Sequence, residues 1–422
     1  MRLRGYHIIM TFAFGILSLN SEGQDQKVTL QYCQELALTN YPLAKNKALI
    51  QAVSALKLTN FGTGRLPQIT FNGQATYQSD AIEVSLGNMK LSQAKDQYKA
   101  TLDINQMLYD GGTIRYQHKL EETSSAADVQ QVDIDLYKVK EQVNNVFFLL
   151  LIMQENQRLL NSTLNEIMER EGTVKSSVNN GVLTSSDLDV ITAERLKVEQ
   201  QLAEIDIDRK STLNILSILV NKPVPDSLKF ELPIIIVNDT LASNRPEYKL
   251  FELQAKRLDD TKQLSSSQLK PKVYAFAQGG YARPGLNFLS NEFNPYYIVG
   301  ASIKWTLWDW NKNHREQQIA DVQKQMITTN RESFDLNLSV DLLNRLASIK
   351  KLEEALKRDD QIVELRSRVA RTSASRLENG VITSTDYLTD LNAETIAKIN
   401  LQTHKIQLVL SKANYLLAKG NL

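Results

Sequence analysis

The spacing of apolar positions changes character along this chain, and the same succession of patterns then occurs a second time. Val139, Val143, Val146, Leu150 and Met153 stand four, three, four and three residues apart, the seam of one helix packed lengthwise on another. The stretch 112–178 around them is rich in Leu, Gln, Glu, Lys and Ala, a composition with good helix propensity. At 1.5 Å per residue, roughly 65 residues make a rod about 100 Å long. Upstream the period falls to two. Ile69, Phe71, Gly73, Ala75 and Tyr77 alternate with Gln68, Thr70, Asn72, Gln74 and Thr76, and Tyr98, Ala100, Leu102 and Ile104 alternate with Lys99, Thr101, Asp103 and Asn105. Both runs predict strands with one polar face and one apolar or small face. Two later strands repeat the pattern, one with Val273, Ala275, Ala277, Gly279 and Tyr281, the other with Tyr297, Val299, Ala301, Ile303 and Trp305. All nine prolines lie outside 68–222 and 296–422, so those windows can hold long helices.

The recurrence is also literal. Asn180-Gly181-Val182-Leu183-Thr184-Ser185-Ser186-Asp187 returns as Asn379-Gly380-Val381-Ile382-Thr383-Ser384-Thr385-Asp386, an offset of 199 residues. Leu108-Tyr109-Asp110 returns as Leu307-Trp308-Asp309 at the same offset, while Pro42 and Pro67 return as Pro246 and Pro271 at an offset of 204. Matches in fixed order with one five-residue length change mean an internal duplication, far longer than a solenoid repeat of roughly 20–50 residues. The predicted organisation is a signal peptide at 1–23, a first repeat at 24–219, a linker at 220–245 and a second repeat at 246–422. The first repeat comprises a helix over 29–64, a β-hairpin over 67–110, a long helix over 112–178 and a returning helix over 184–219. The second comprises a helix over 246–268, a hairpin over 271–308, a long helix over 311–378 and a returning helix over 383–418. Two shorter helices sum to about one long helix, so they can stack end to end beside it. Ile234–Val237, inside the linker, reads as a further strand.

Composition narrows the class. A formal net charge of +1 over 422 residues, without a basic block, argues against nucleic acid as a partner. Arg2 and Arg4 precede an apolar stretch from Ile8 to Leu19, and Ser21 and Gly23 suit cleavage before Gln24. No later apolar run reaches the roughly 18 residues of a membrane-spanning helix. The single cysteine, Cys33, excludes an internal disulfide and reads as a buried apolar residue. Strands of about 10–12 residues with aromatics near their ends, in an exported chain, fit a transmembrane barrel. Lipid cannot satisfy an open sheet edge, and four strands do not close. Two copies give eight strands with a filled interior, whereas three give twelve, with room for a lumen. The competing reading is a soluble sheet packed on the helices.

At this point the residues resemble the TolC-like outer-membrane efflux proteins. The resemblance rests on Leu30-Gln31-Tyr32-Cys33 leading through Ala37 to Asn40-Tyr41-Pro42-Leu43, on Leu108-Tyr109-Asp110-Gly111-Gly112, and on the turn present in both copies. It implies a mixed fold: a membrane β-barrel continued by a long α-helical barrel, internally duplicated, with four strands per protomer and twelve in a homotrimer. It further implies an outer-membrane channel with its helical part in the periplasm. The implied partners are outer-membrane lipid, a periplasmic adaptor (membrane fusion) protein and an inner-membrane transporter of RND or ABC type. The chain would be a passive efflux duct for small molecules, with no cofactor and no catalysis. A duct for type I protein secretion is not separated from it by sequence, and a periplasmic coiled-coil scaffold or adhesin is the alternative from another class.

The repeated turn is the candidate site. Gly181 and Gly380 fit the left-handed position after a helix, and Thr184 and Thr383 fit N-caps, with Asp187 and Asp386 three residues on. Two compatible readings of these aspartates stand open: helix caps, or a carboxylate ring gating the periplasmic mouth, with Asp390 as a further acidic candidate. Val182-Leu183 and Val381-Ile382, with the two glycines, are either local packing or adaptor-docking contacts. Tyr77, Tyr98, Tyr281, Tyr297 and Trp305 are candidates for the membrane interface. No histidine pairs with Cys or another His at ligand spacing, the methionines are scattered, and no catalytic constellation appears.

Overall fold

The computed structural model describes residues 27–81, 83–86, 89–238 and 242–422; the expected signal peptide lies outside them. The chain opens with a short strand β1 (Lys27–Val28) and helix α1 (Leu30–Asn40), whose first turn is capped by Thr29 Oγ1 accepting from Tyr32 N at 3.3 Å. The single helix expected over 29–64 is in fact broken. Pro42 opens a 3₁₀ turn, Pro42–Ala44, and holds Tyr41 in an extended conformation (φ −59°, ψ 133°) before α2 (Lys45–Thr63) begins. Proline restricts its predecessor in this way and donates no N–H.

Strands β2 (Gln68–Tyr77), β3 (Glu83–Leu86), β4 (Met89–Ser92) and β5 (Asp96–Tyr109) follow, then helices α3 (Thr113–Asn179) and α4 (Ser185–Val220). After β6 (Lys229–Phe230) come α5 (Pro246–Gln268), β7 (Lys272–Arg283), β8 (Asn294–Lys304), α6 (Lys312–Glu378) and α7 (Ser384–Lys419). Both long helices have 67 residues and both returning helices 36, with every boundary displaced by the offset of the repeated turn. At 1.5 Å per residue each long helix extends about 100 Å.

Four strands form one sheet in the order β2-β5-β7-β8, all antiparallel, which leaves β2 and β8 as edges. The register aligns the predicted faces across the sheet: Ile69, Ile104, Ala277 and Val299 form one ladder, and Phe71, Leu102, Gly279 and Tyr297 the next on that face. Among the described residues nothing covers this face; Phe71, Tyr297, Val299 and Ile303 are all more than 70% exposed. On the opposite face Asp103 accepts from Asn72 and Gln278. The Phe276 ring lies across Gly300 and the Tyr296 ring across Gly280, so a Cβ at either glycine would require the ring to turn away. The loop between β2 and β5 contains a hairpin of its own, β3 with β4, which alternation in the two flanking strands did not announce.

Short helices stack end to end beside long ones. Asn40 Nδ2 donates to Val220 O and Asn221 Nδ2 to Asn40 O, each at 3.2 Å, joining the end of α4 to the α1–α2 stack along α3. In the second half Asn244 N and Ser243 Oγ donate to Lys419 O, joining α7 to the start of α5. The main core lies at mid-length of α3, where Val143, Phe147, Phe148 and Leu150 meet Leu30, Cys33, Leu216 and Ile406. Burial raises the Cys33 thiol pKa to about 12. The strand expected at Ile234–Val237 is absent. Ile234 and Ile236 are exposed while Ile235 and Val237 pack inward, so the alternation is real, yet no ladder forms. The pairing strand is Lys229–Phe230, parallel to Lys27–Val28. No helix among the described residues is long and apolar enough to cross a membrane.

Candidate functional site: the paired hairpin tips

The two helical hairpins end side by side, at the far end of α3 and α6 from the sheet. Each long helix terminates by the same bonds. Gly181 N donates to Val178 O and Val182 N to Ser177 O, and Gly380 N to Leu377 O and Val381 N to Arg376 O. This crossed pair of bonds requires positive φ at the residue after the cap; Gly181 has φ +75° and Gly380 φ +67°. The returning helices start with full capping boxes. Thr184 Oγ1 accepts from Asp187 N while an Asp187 carboxylate oxygen accepts from Thr184 N at 3.1 Å, and Thr383 with Asp386 does the same. Each hydroxyl also donates to the carboxylate it faces, at 2.7 and 2.8 Å.

The two aspartates then part company. The second oxygen of Asp187 accepts from Ser384 N at 3.1 Å, so this carboxylate caps its own helix and the first turn of α7 together. Asp386 makes only its own capping box and is exposed. The Thr184 hydroxyl, with the Ser384 and Thr184 N–H groups, holds the Asp187 pKa below the usual carboxylate range. The Thr383 hydroxyl and N–H do the same for Asp386. Asp390 turns onto its own hairpin, where it accepts from Ser373 Oγ.

The apolar tip residues also divide. Val182 and Val381 are each 63% exposed, whereas Leu183 and Ile382 pack against the tip cluster of Ile167, Val174, Ile191, Tyr387 and Leu391. Sequence reasoning treated each Val–Leu and Val–Ile pair as a unit and passed over Tyr387 altogether. Tyr387 is fully buried and donates from its hydroxyl to Glu166 Oε1 at 3.1 Å. The Arg170 guanidinium lies 5.9 Å from the centre of its ring and pairs with Glu378. Burial and the Glu166 carboxylate push the Tyr387 pKa up. These groups lie more than 200 positions apart in sequence and connect the two repeats; the one sequence signal for them is that Tyr387 stands where the first repeat has Leu188.

At the sheet end, Tyr77, Tyr98, Tyr281 and Tyr297 gather toward the outer loops, with the Phe293 ring 5.9 Å from Tyr98 and stacked 5.5 Å from Tyr281. Trp305 lies just past β8 at the helical end and donates from Nε1 to Leu269 O. Asp110, in the motif at the strand-to-helix passage, accepts from Gly112 N and Ile114 N and so starts α3; Asp309 accepts from Asn313 N and does the same for α6. Among the described residues no three or more His, Cys, Asp and Glu side chains are grouped to hold a metal ion.

No protein-family model matches the sequence, and no curated protein matches it. Solved structures do. The outer membrane protein VceC of Vibrio cholerae superposes with a TM-score of 0.65 at 18% identity, over 93% of this chain and 97% of that one. The CmeC outer membrane channel of Campylobacter jejuni gives 0.64 at 14% identity, over 99% and 94%. The MtrE outer membrane channel of Neisseria gonorrhoeae gives 0.65 at 17% identity, over 93% and 89%. The chain therefore has the fold of the TolC-like outer-membrane efflux channels along nearly its whole length, the fold that its repeated motifs resemble.

Proposed function

We propose that the protein is an outer-membrane channel with a periplasmic duct, the exit component of a multicomponent efflux system. Three copies close a twelve-stranded barrel in the membrane and a helical barrel below it. The observation that carries this reading is the sheet. It has two unpaired edges, β2 and β8, and an uncovered apolar face, and it joins directly to helical hairpins about 100 Å long. A sheet of that kind in water exposes apolar side chains and unpaired backbone together. In a closed barrel, lipid covers the first and neighbouring strands pair the second. Solved outer-membrane channels of the same fold support the assignment.

The duct is passive. Small molecules reach it from an inner-membrane pump through a periplasmic adaptor, and the hairpin tips form the receiving mouth. There Val182 and Val381 offer the exposed apolar contacts for the adaptor, while Leu183 and Ile382 hold each tip together. The carboxylates of Asp187 and Asp386, repeated by three copies, ring the entrance and favour cations. The Tyr387–Glu166 and Arg170–Glu378 contacts hold the two tips of a chain against each other, which keeps the mouth narrow. Expressed with its signal peptide, the protein is expected in the outer-membrane fraction, extracted only by detergent and with the mass of a trimer. A monomer soluble without detergent overturns the reading.

A further inference from the structure

Within one chain the two repeats meet along a seam between α3 and α7, and much of that seam is polar. Asn144 Nδ2 donates to Asn414 Oδ1 at 2.9 Å, with Gln34 Nε2 donating to Asn144 Oδ1 at 2.6 Å. The Thr163 and Thr395 hydroxyls lie 3.1 Å apart, and Tyr137 donates from its hydroxyl to Leu417 O at 2.7 Å. The offset of 199 carries each of the three pairs that cross between the repeats onto its counterpart. Asn144 and Asn414 become Leu343 and Ile215, Thr163 and Thr395 become Ile362 and Leu196, and Tyr137 and Leu417 become Leu336 and Ile218. All six counterparts are large and apolar, and all six are exposed, from 45% to 76%. The pattern continues toward the sheet. Thr123 donates to the buried Asp260 at 2.7 Å between α3 and α5; the offset of 199 carries Thr123 to Val322 on α6, and the offset of 204 that holds ahead of the sheet hairpins carries Asp260 back to Leu56 on α2, both exposed.

We infer that α4 and α2 of one copy pack on α6 of the next copy in the register of the internal seam, with Leu196 on Ile362, Ile215 on Leu343, Ile218 on Leu336 and Leu56 on Val322. This rests on the trimeric channel reading and adds to it the pairing surface and its register. Two observations argue for a second copy as the occupant. The exposed apolar residues fall in pairs, one on each of two helices, at positions whose counterparts already touch. The step from the first repeat to the second also has a head-to-tail sense, and repeating a head-to-tail contact closes a ring when the rotation permits.

The difference in chemistry has a physical reason. Association of separate chains needs apolar burial to drive it, whereas the internal seam is brought together by the chain itself and can hold buried hydrogen-bonded pairs. The two chemistries also keep the seams distinct. A mispaired repeat would bury Asn144 or Asn414 against leucine or isoleucine, leaving an amide without a partner.

Disulfide trapping tests the register. In a Cys33→Ala background, Leu196→Cys with Ile362→Cys is expected to form an intermolecular disulfide in outer membranes, because the counterpart hydroxyls are within bonding distance. Covalent trimers should appear with the pair and with neither single variant. Leu196→Cys with Val369→Cys, two turns along α6, should remain monomeric in denaturing gels. Thr163→Cys with Thr395→Cys should cross-link within one chain, without change of mass, and shows that the fold tolerates such pairs. A detergent-extracted trimer in which the Leu196–Ile362 pair stays uncross-linked overturns the seam and leaves the channel reading standing. A monomer overturns both.

Discussion

At the residue scale the repeated aspartates are structural before they are electrostatic. Asp187 fixes the start of its own helix and, through Ser384 N, the start of the other returning helix. A carboxyl whose folded pKa lies below its unfolded value contributes stability that is fully present above the unfolded value of about 3.9 and is lost as pH falls through the folded value. The pKa shifts of Asp187 and Asp386 both have this sign, so the tips are expected to loosen in acid and not in base. The inferred register between copies reaches the tips as well. It carries the Asp187–Ser384 bond onto Asp386 and Ser185 of the next copy. Asp386→Ala should therefore raise hydrogen exchange at the start of α4, a helix with which Asp386 makes no hydrogen bond in its own chain, as well as at α7. An effect confined to α7 removes that bond and leaves Asp386 as a local cap. The threonine–glycine–aspartate chemistry of the tips was legible in the sequence because caps are local, three to five residues across. The Tyr387–Glu166 and Arg170–Glu378 contacts were not, because nothing within a few residues of Tyr387 records a partner more than 200 positions away.

At the element scale, long helices were legible from two simple facts: a proline-free window and a four–three spacing of apolar residues. Their boundaries fell within a residue of the pattern because glycine and threonine punctuate them. Short elements were harder to read. Pro42 divides the first helix, and the pairing of Lys27–Val28 with Lys229–Phe230 depends on a neighbour two hundred residues away. In the proposed trimer the exposed apolar stripes of α4 and α6 are the surfaces that meet between copies. Ile215→Asn is expected to weaken the trimer, because it places an amide opposite Leu343. Combining it with Leu343→Asn should recover part of that loss, since Asn144 and Asn414 make the same pairing inside the chain. Trimer dissociation in a detergent series, followed by native electrophoresis, reads both effects. A double variant no stronger than the worse single variant places the two residues on different surfaces.

At the scale of the whole molecule, the proposed trimer makes duplication and assembly two uses of one operation. Two β-hairpins and two helical hairpins arise per chain, and in the proposed trimer the same head-to-tail step taken between chains closes the sheet and the helical wall together. Among the described residues both sheet edges are unpaired and the apolar sheet face is bare, which is what the proposed reading expects of one third of a barrel. In the proposed barrel the polar side of the sheet, with Asp103 held by Asn72 and Gln278, faces the lumen. The most direct measurement is conductance of the purified, detergent-extracted protein in a planar lipid bilayer. Discrete steps with a preference for cations, reduced when Asp386 is replaced by alanine, are the expected result. A protein that is trimeric yet leaves the bilayer electrically silent in every variant, including Tyr387→Phe with its tip contact removed, is no channel.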